Sequence, residues 1–218
     1  MDMDYKVLSM SQQLLIGEAL KYAAHNVPDR EAFIYEDRRI TFQELLTRSL
    51  HLAGWLQDQG IGVNDKVGCL LKNGLPFVEL YFAVSLSGGV FVPINFRLVS
   101  KEIEYILKQS DVNILFIEEE FIESVRSIID NMPQVKIIVP IKCGNLEFEN
   151  NTISYDAIFS TPTDYQHVNL TDEDAHAIIF TSGTTGKPKG AVLTHKNFYM
   201  NAMNKLYHSP PQNGTSSQ

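Results

Sequence analysis

Between residues 66 and 139 short apolar runs alternate with amphipathic stretches, and this alternation restricts the fold more than any other feature of the chain. Residues 66–71, 90–93, 113–117 and 135–139 are brief and rich in Val, Ile, Leu and Phe. A strand buried on both faces reads as such an unbroken apolar run. The intervening segments carry apolar residues at helical spacing. Pro76 opens a helix that runs through Ser87, and Gly88-Gly89 breaks it. Ser100 is expected to cap a helix that turns Ile103, Ile106 and Leu107 inward. Residues 119–131 set Phe121, Ile122, Val125, Ile128 and Ile129 on one face of a further helix. Strands that alternate with helices pair in parallel and need a helical layer on each face. The expected fold class is α/β, a mostly parallel sheet covered by helices on both faces.

The ends of the chain are read in the same way. Residues 8–24 form a first helix. Residues 32–35 and 39–40 flank Glu36-Asp37-Arg38 as a small hairpin. Thr41 and Glu44 have the spacing of a capping box, ahead of a stripe of Phe42, Leu45, Leu46, Ala53 and Leu56. Gly60 ends that helix. Residues 142–152 lose the pattern and read as a surface loop, and 155–159 as one helical turn. A polar connector over 160–174 precedes an apolar strand over 175–181. A helix starts at His195 with Tyr199, Ala202, Met203 and Leu206 as its stripe. From His208 the chain has no apolar anchor, so residues 1–207 are expected to form the domain and 208–218 a disordered tail.

Composition excludes several functional classes. The 218 residues include 18 Lys and Arg against 26 Asp and Glu, a net charge of −8. That balance argues against a broad nucleic-acid or anionic-membrane surface. Of the two cysteines, Cys69 sits in an apolar run and reads as core, and Cys143 lies beside Gly144 in the loop. Neither a disulfide framework nor a metal-ligand spacing follows. The longest uncharged stretch, residues 80–96, is interrupted by Gly88, Gly89 and Pro93 and does not read as a membrane span. The opening M-D-M-D-Y-K lacks the basic and apolar regions of a signal peptide, so a cytoplasmic location is expected.

One segment concentrates chemistry. Residues 181–190 read T-S-G-T-T-G-K-P-K-G, with four hydroxyls, three glycines and two lysines between two apolar runs. Glycine lets the backbone approach a ligand, and successive N–H groups can converge on an anion. Hydroxyls add hydrogen bonds, and lysine adds countercharge. Pro188 stiffens the exit. The expected role is phosphate binding; a plain Gly/Ser/Thr-rich hairpin loop is the bland alternative. The pattern is neither a Walker A loop nor a dinucleotide G-x-G-x-x-G, because Gly183 and Gly186 are wrongly spaced and Pro188 stands where a hydroxyl belongs.

The run I-I-F-T-S-G-T-T-G-K-P-K-G-A-V-L-T-H, residues 178–195, closely resembles the signature of the adenylate-forming (AMP-binding) superfamily. I-T-F-Q-E-L at 40–45 and S-G-G-V-F-V-P-I-N at 87–95 resemble two of its earlier elements, in the family order. N-F-R-L at 95–98 looks more like acyl-CoA synthetases than peptide-synthetase adenylation domains. The resemblance implies an ATP-dependent carboxylic acid–CoA ligase, fatty-acid directed, that uses ATP, Mg2+ and coenzyme A. It implies that Thr181, Ser182, Gly183, Thr184, Thr185, Gly186 and Lys189 hold the ATP phosphates, with Thr184 also contacting Mg2+. Lys187 falls at a variable family position and reads as a solvated charge. His195 reads as a packing or capping residue, Trp55 as core, and Asp172, Glu173 and Asp174 as a solvated, capped turn.

The family's adenine- and ribose-binding elements, its hinge and its catalytic lysine have no counterpart among these residues. The chain therefore reads as the N-terminal part of the ligase large domain, truncated and inactive alone. Its sheet is expected to end on an exposed edge that invites self-association. The alternatives are a fragment of a nonribosomal peptide synthetase adenylation domain and a non-catalytic module that binds a nucleotide or a partner.

Overall fold

The computed structural model describes residues 14–141, 151–181 and 188–208. The first helix among the described residues, α1, spans Ile16–Asn26. It begins later than the apolar pattern suggests, since residues 14 and 15 are not helical, and residues 8–13 lie outside the described set. Strands β1 (Glu31–Tyr35) and β2 (Arg38–Thr41) form the expected hairpin, with Glu36 in the left-handed region at the turn. Helix α2 (Phe42–Asp58) starts from the predicted capping box: the Glu44 N–H donates to Thr41 Oγ1 at 3.2 Å, and the Thr41 N–H to the Glu44 carboxylate at 2.7 Å. Gly60, at φ 84°, ends it as expected.

Then follow β3 (Lys66–Leu70), α3 (Leu75–Ser87), β4 (Val90–Pro93), α4 (Ser100–Ser110) and β5 (Val112–Glu118). Next come α5 (Ile122–Arg126), β6 (Ile137–Ile141), β7 (Asn151–Thr152) and α6 (Tyr155–Ile158). The described chain ends with β8 (Ala175–Thr181), β9 (Lys189–Thr194) and α7 (His195–His208). Among the described residues seven strands form one sheet in the order β7-β6-β5-β3-β4-β8-β9. Every pairing in it is parallel except β8 with β9.

Helices cover both faces. On one, Leu52, Trp55 and Leu56 of α2 and Leu80, Ala83 and Val84 of α3 pack on Val67, Phe91 and Phe116. On the other, Ile103, Ile106 and Leu107 of α4 and Val125 of α5 pack on Leu70, Val92, Leu115 and Ile117. The three-layer expectation holds.

Several local expectations need correction. Ser100 is the first helical residue rather than the cap: Val99 precedes it, and the Val99 N–H is held by the Glu102 carboxylate at 3.0 Å. Residues 119–131 are not one helix but a 3-10 turn, the five-residue α5 and a second 3-10 turn. The Ser127 hydroxyl bonds the Ser124 carbonyl, and Ile128 leaves helical geometry at φ −126°. The apolar stripe is buried all the same, since Ile122, Val125, Ile128 and Ile129 all reach the core. Strand β6 lies two residues later than read and includes Pro140. Strand β7 pairs only with Ile137 and Ile138, so among the described residues Pro140 stands beyond it on an open flank, where a missing N–H breaks no ladder bond. Asn151 and Thr152 thus form a short strand rather than loop; residues 142–150, with Cys143, lie outside the described set.

The connector over 160–174 is packed rather than loose. Thr163 Oγ1 donates to the His51 carbonyl at 3.0 Å, and Gln57 exchanges two bonds with the Gln166 backbone at 2.8 and 2.9 Å. It approaches α2 at Gly54, where a Cβ would stand 3.1 Å from Thr163 Oγ1 and 3.1 Å from the Tyr165 nitrogen. Asp172 is buried, contrary to the solvated turn expected for it, while Asp174 accepts the Thr171 N–H at 2.7 Å as a cap. Helix α7 runs through His208, so the first residue of the tail expected over 208–218 is helical; residues 209–218 lie outside the described set.

Candidate phosphate-binding site

Strands β8 and β9 are antiparallel neighbours that carry the two ends of the glycine- and hydroxyl-rich segment. The register pairs Ile178 with Val192, Ile179 with Ala191, Phe180 with Gly190 and Thr181 with Lys189. Thr181 and Lys189 are therefore the last pair before the loop. Directly opposed residues share a face, with Cβ atoms about 5 Å apart. A threonine and a lysine side chain thus leave the same face of the sheet at the C-terminal end of β8. Both residues are exposed, and among the described residues neither side chain has a hydrogen bond or an ion pair. Strands β3, β4, β5 and β6 run parallel and end on the same edge of the sheet as β8. Ligands of open α/β sheets bind beyond the carboxyl ends of the strands.

Of the residues expected to hold phosphate, Thr181 and Lys189 are brought together in this way. Ser182, Gly183, Thr184, Thr185 and Gly186 lie outside the described residues, as does Lys187. Thr184 was also the expected Mg2+ contact. Among the described residues no three His, Cys, Asp or Glu side chains converge as a metal site.

Two buried polar clusters went unnoticed in the sequence. The first is at the floor of a cavity of about 210 Å3 between the β1–β2 hairpin and the chain just after β3, near the ends of β5 and β6. Glu79, 0% exposed, is held there by Arg48 and by the Tyr155 hydroxyl. Arg48 Nη2 makes a second bond to its carboxylate at 3.2 Å, and the guanidinium lies 4.0 Å over the Phe159 ring. Burial, with the Glu79 carboxylate alongside, pushes the Tyr155 hydroxyl well up from its ordinary pKa. Arg48 and Glu79 lie on two helices far apart in sequence, so only tertiary packing shows the pairing.

The second cluster joins β8 to α7 and α1. His195 is buried as the first residue of α7, and its Nδ1 accepts the Ile16 N–H at 3.3 Å. The packing role read from the sequence for His195 holds, while capping falls to Thr194, whose Oγ1 accepts the Asn197 N–H at 3.3 Å. His176, also buried, lies against His195, Tyr81 and Phe198. Burial lowers His176 to about 3 and His195 to about 4, so both are neutral imidazoles near pH 7.

The mostly parallel α/β sheet thus ends in an antiparallel hairpin whose strands carry Thr181 and Lys189. The chain matches the AMP-binding enzyme family over residues 20–216 and belongs to that family. It is 31% identical over 202 residues to a medium/long-chain-fatty-acid–CoA/3-oxocholest-4-en-26-oate–CoA ligase of Mycobacterium marinum, covering 87% of this chain and 36% of that one. A fatty acid–[acyl-carrier-protein] ligase of Streptomyces coeruleorubidus is 32% identical over 86% of this chain and 34% of its own. The chain thus spans about a third of the length of the curated relatives it matches. A putative long-chain-fatty-acid CoA ligase from Rhodopseudomonas palustris has the same fold, with a TM-score of 0.81 at 23% identity over 89% of this chain and 48% of that one. An anthranilate CoA ligase, solved with anthranoyl-AMP, superposes with a TM-score of 0.79 at 28% identity over 86% of this chain and 36% of its own. No helix among the described residues is long and apolar enough to cross a membrane.

Proposed function

We propose that this chain supplies the phosphate-holding part of an ATP-dependent carboxylic acid–CoA ligase, with a fatty acid as the carboxylate. The observation that carries the reading is the pairing of Thr181 with Lys189 at the mouth of the signature loop, on the edge where the strands end. In the first half-reaction a carboxylate oxygen attacks the α-phosphorus of ATP, and the bond to the bridging oxygen of the β-phosphate breaks. In the second a thiol attacks the acyl carbon and releases AMP. An anionic nucleophile approaches a polyanion, so negative charge on the departing pyrophosphate has to be neutralised. Lys189 supplies a fixed positive charge there and Thr181 a hydroxyl donor beside it. By the family signature Ser182, Gly183, Thr184, Thr185 and Gly186 would add backbone N–H and hydroxyl donors, and Thr184 would help to hold Mg2+, which would supply further charge neutralisation.

Two features favour fatty-acid activation: the names of the relatives, and N-F-R-L at residues 95–98, which resembles acyl-CoA synthetases more than peptide-synthetase domains. Adenine, ribose and acyl recognition are assigned to parts of the ligase that this third of the relatives' length does not match, so the 218 residues are expected to bind without turnover. Isothermal calorimetry with pyrophosphate and with Mg-ATP tests this, alongside carboxylate-dependent ATP–pyrophosphate exchange. Binding that depends on Lys189 without exchange is expected. Absence of binding, or binding indifferent to Lys189, overturns the reading.

A further inference from the structure

Phe180 and Gly190 are direct cross-strand partners, one step inside the Thr181–Lys189 pair. A Cβ at position 190 would stand 3.0 Å from Phe180 Cζ, 3.3 Å from Phe180 Cε1 and 2.9 Å from Ile178 Cγ2. The edge of the aromatic ring and the Ile178 methyl therefore together occupy the space that a side chain at 190 would fill. Gly190 is not among the glycines with positive φ, so its backbone does not call for glycine. The contacts with Ile178 and the Phe180 ring do.

This contact addresses a specific problem. The register of a hairpin is ordinarily set by a short turn. Here residues 182–188 separate the paired ends, a connection longer than the usual two to five residues. Strand β9 is the last strand of the sheet among the described residues and is largely exposed, with Val192 60% exposed, so little burial pins it. Phe180 and Ile178, by contrast, are partly buried and pack against the core cluster of that face. A slip of one residue would carry Lys189 to the opposite face of the sheet.

We propose that Phe180 and Gly190 are positioning residues: the ring seated on the glycine locks the register that holds Lys189 opposite Thr181 for the phosphates of ATP. The proposal rests on the phosphate-binding reading above and extends it to two residues that touch no ligand.

The test uses the whole 218-residue chain. Cross-strand nuclear Overhauser contacts between Thr181 and Lys189 are measured without ligand, with the β3–β5 pair Val67–Ile114 as the internal check of the fold. Pyrophosphate affinity is measured by calorimetry on the same samples. Gly190→Ala and, separately, Phe180→Ala should each weaken the Thr181–Lys189 contacts while sparing Val67–Ile114. Each should lower pyrophosphate affinity roughly tenfold, the scale of one charge-assisted hydrogen bond. Phe180→Tyr keeps the ring and should keep both properties. Should Gly190→Ala fail to fold, the comparison of Phe180→Ala with Phe180→Tyr carries the test. Wild-type binding with unchanged contacts and affinity in the Ala variants overturns this proposal alone. Absence of binding by the wild type overturns the phosphate reading and this proposal with it.

Discussion

The imidazole rings of His176 and His195 lie 4.8 Å apart between centroids, and neither nitrogen of His176 has a hydrogen-bond partner among the described residues. Tyr81 and Phe198 close around His176, so the pair is accommodated as two neutral rings. Asp174 and Asp172 lie on the His195 side and favour its charged form, but burial outweighs them.

Acid should therefore unfold the protein through this pair. Both folded-state pKa values, about 3 and about 4, lie below the unfolded value of 6.5. The unfolded chain takes up protons first as pH falls, so stability is full above pH ~6.5 and declines from there through about 3, where His176 titrates in the fold. His195 alone accounts for about 3 kcal/mol across that window. Urea midpoints at pH 7.5, 6, 5 and 4 read the slope. His176→Leu removes an unpartnered polar ring and should raise the midpoint while flattening the acid dependence; an unchanged slope contradicts the assignment.

Arg48→Ala should destabilise the fold by about 3–5 kcal/mol, because it leaves the Glu79 carboxylate buried without its cation. Glu79→Leu combined with Arg48→Met removes both charges and should recover much of that loss. Denaturant unfolding of Arg48→Met, Glu79→Leu and the double variant measures the coupling, which is close to zero only if the pair is inert.

Gly54→Ala offers a case where helix propensity and tertiary packing disagree in sign. Propensity favours alanine inside α2 by ~1 kcal/mol. The added Cβ would instead meet the Thr163 hydroxyl and the Tyr165 backbone at 3.1 Å, and displacing the connector costs about 1–3 kcal/mol. The variant is expected to melt below the wild type in a thermal scan.

Lys189→Ala should weaken pyrophosphate binding about tenfold or more, and the loss should shrink as salt is added. Lys187→Ala should change it by less than about threefold, within the range of a screened surface charge. Calorimetric titrations of the two variants at low and high salt give the comparison.

The strand–helix alternation, the capping box at Thr41 and Glu44, the end of α2 at Gly60 and both faces of the sheet were legible from apolar spacing and turn chemistry. Such features depend on neighbours three or four residues away or on a two-residue period. The broken helix over 119–131 was not, because its apolar stripe is equally well buried by three short turns. The glycine- and hydroxyl-rich segment at 181–190 was legible as a family signature.

What the sequence determined by itself was therefore the kind of layer each segment joins and the chemistry concentrated at 181–190, since both are encoded locally. Tertiary structure alone decided that Lys189 stands opposite Thr181, that Glu79 meets Arg48 and Tyr155, and that His176 rests on His195. Strand order and helix packing bring these residues together from distant parts of the chain. No local propensity specifies such a meeting, because its energy exists only once both surfaces are buried against each other.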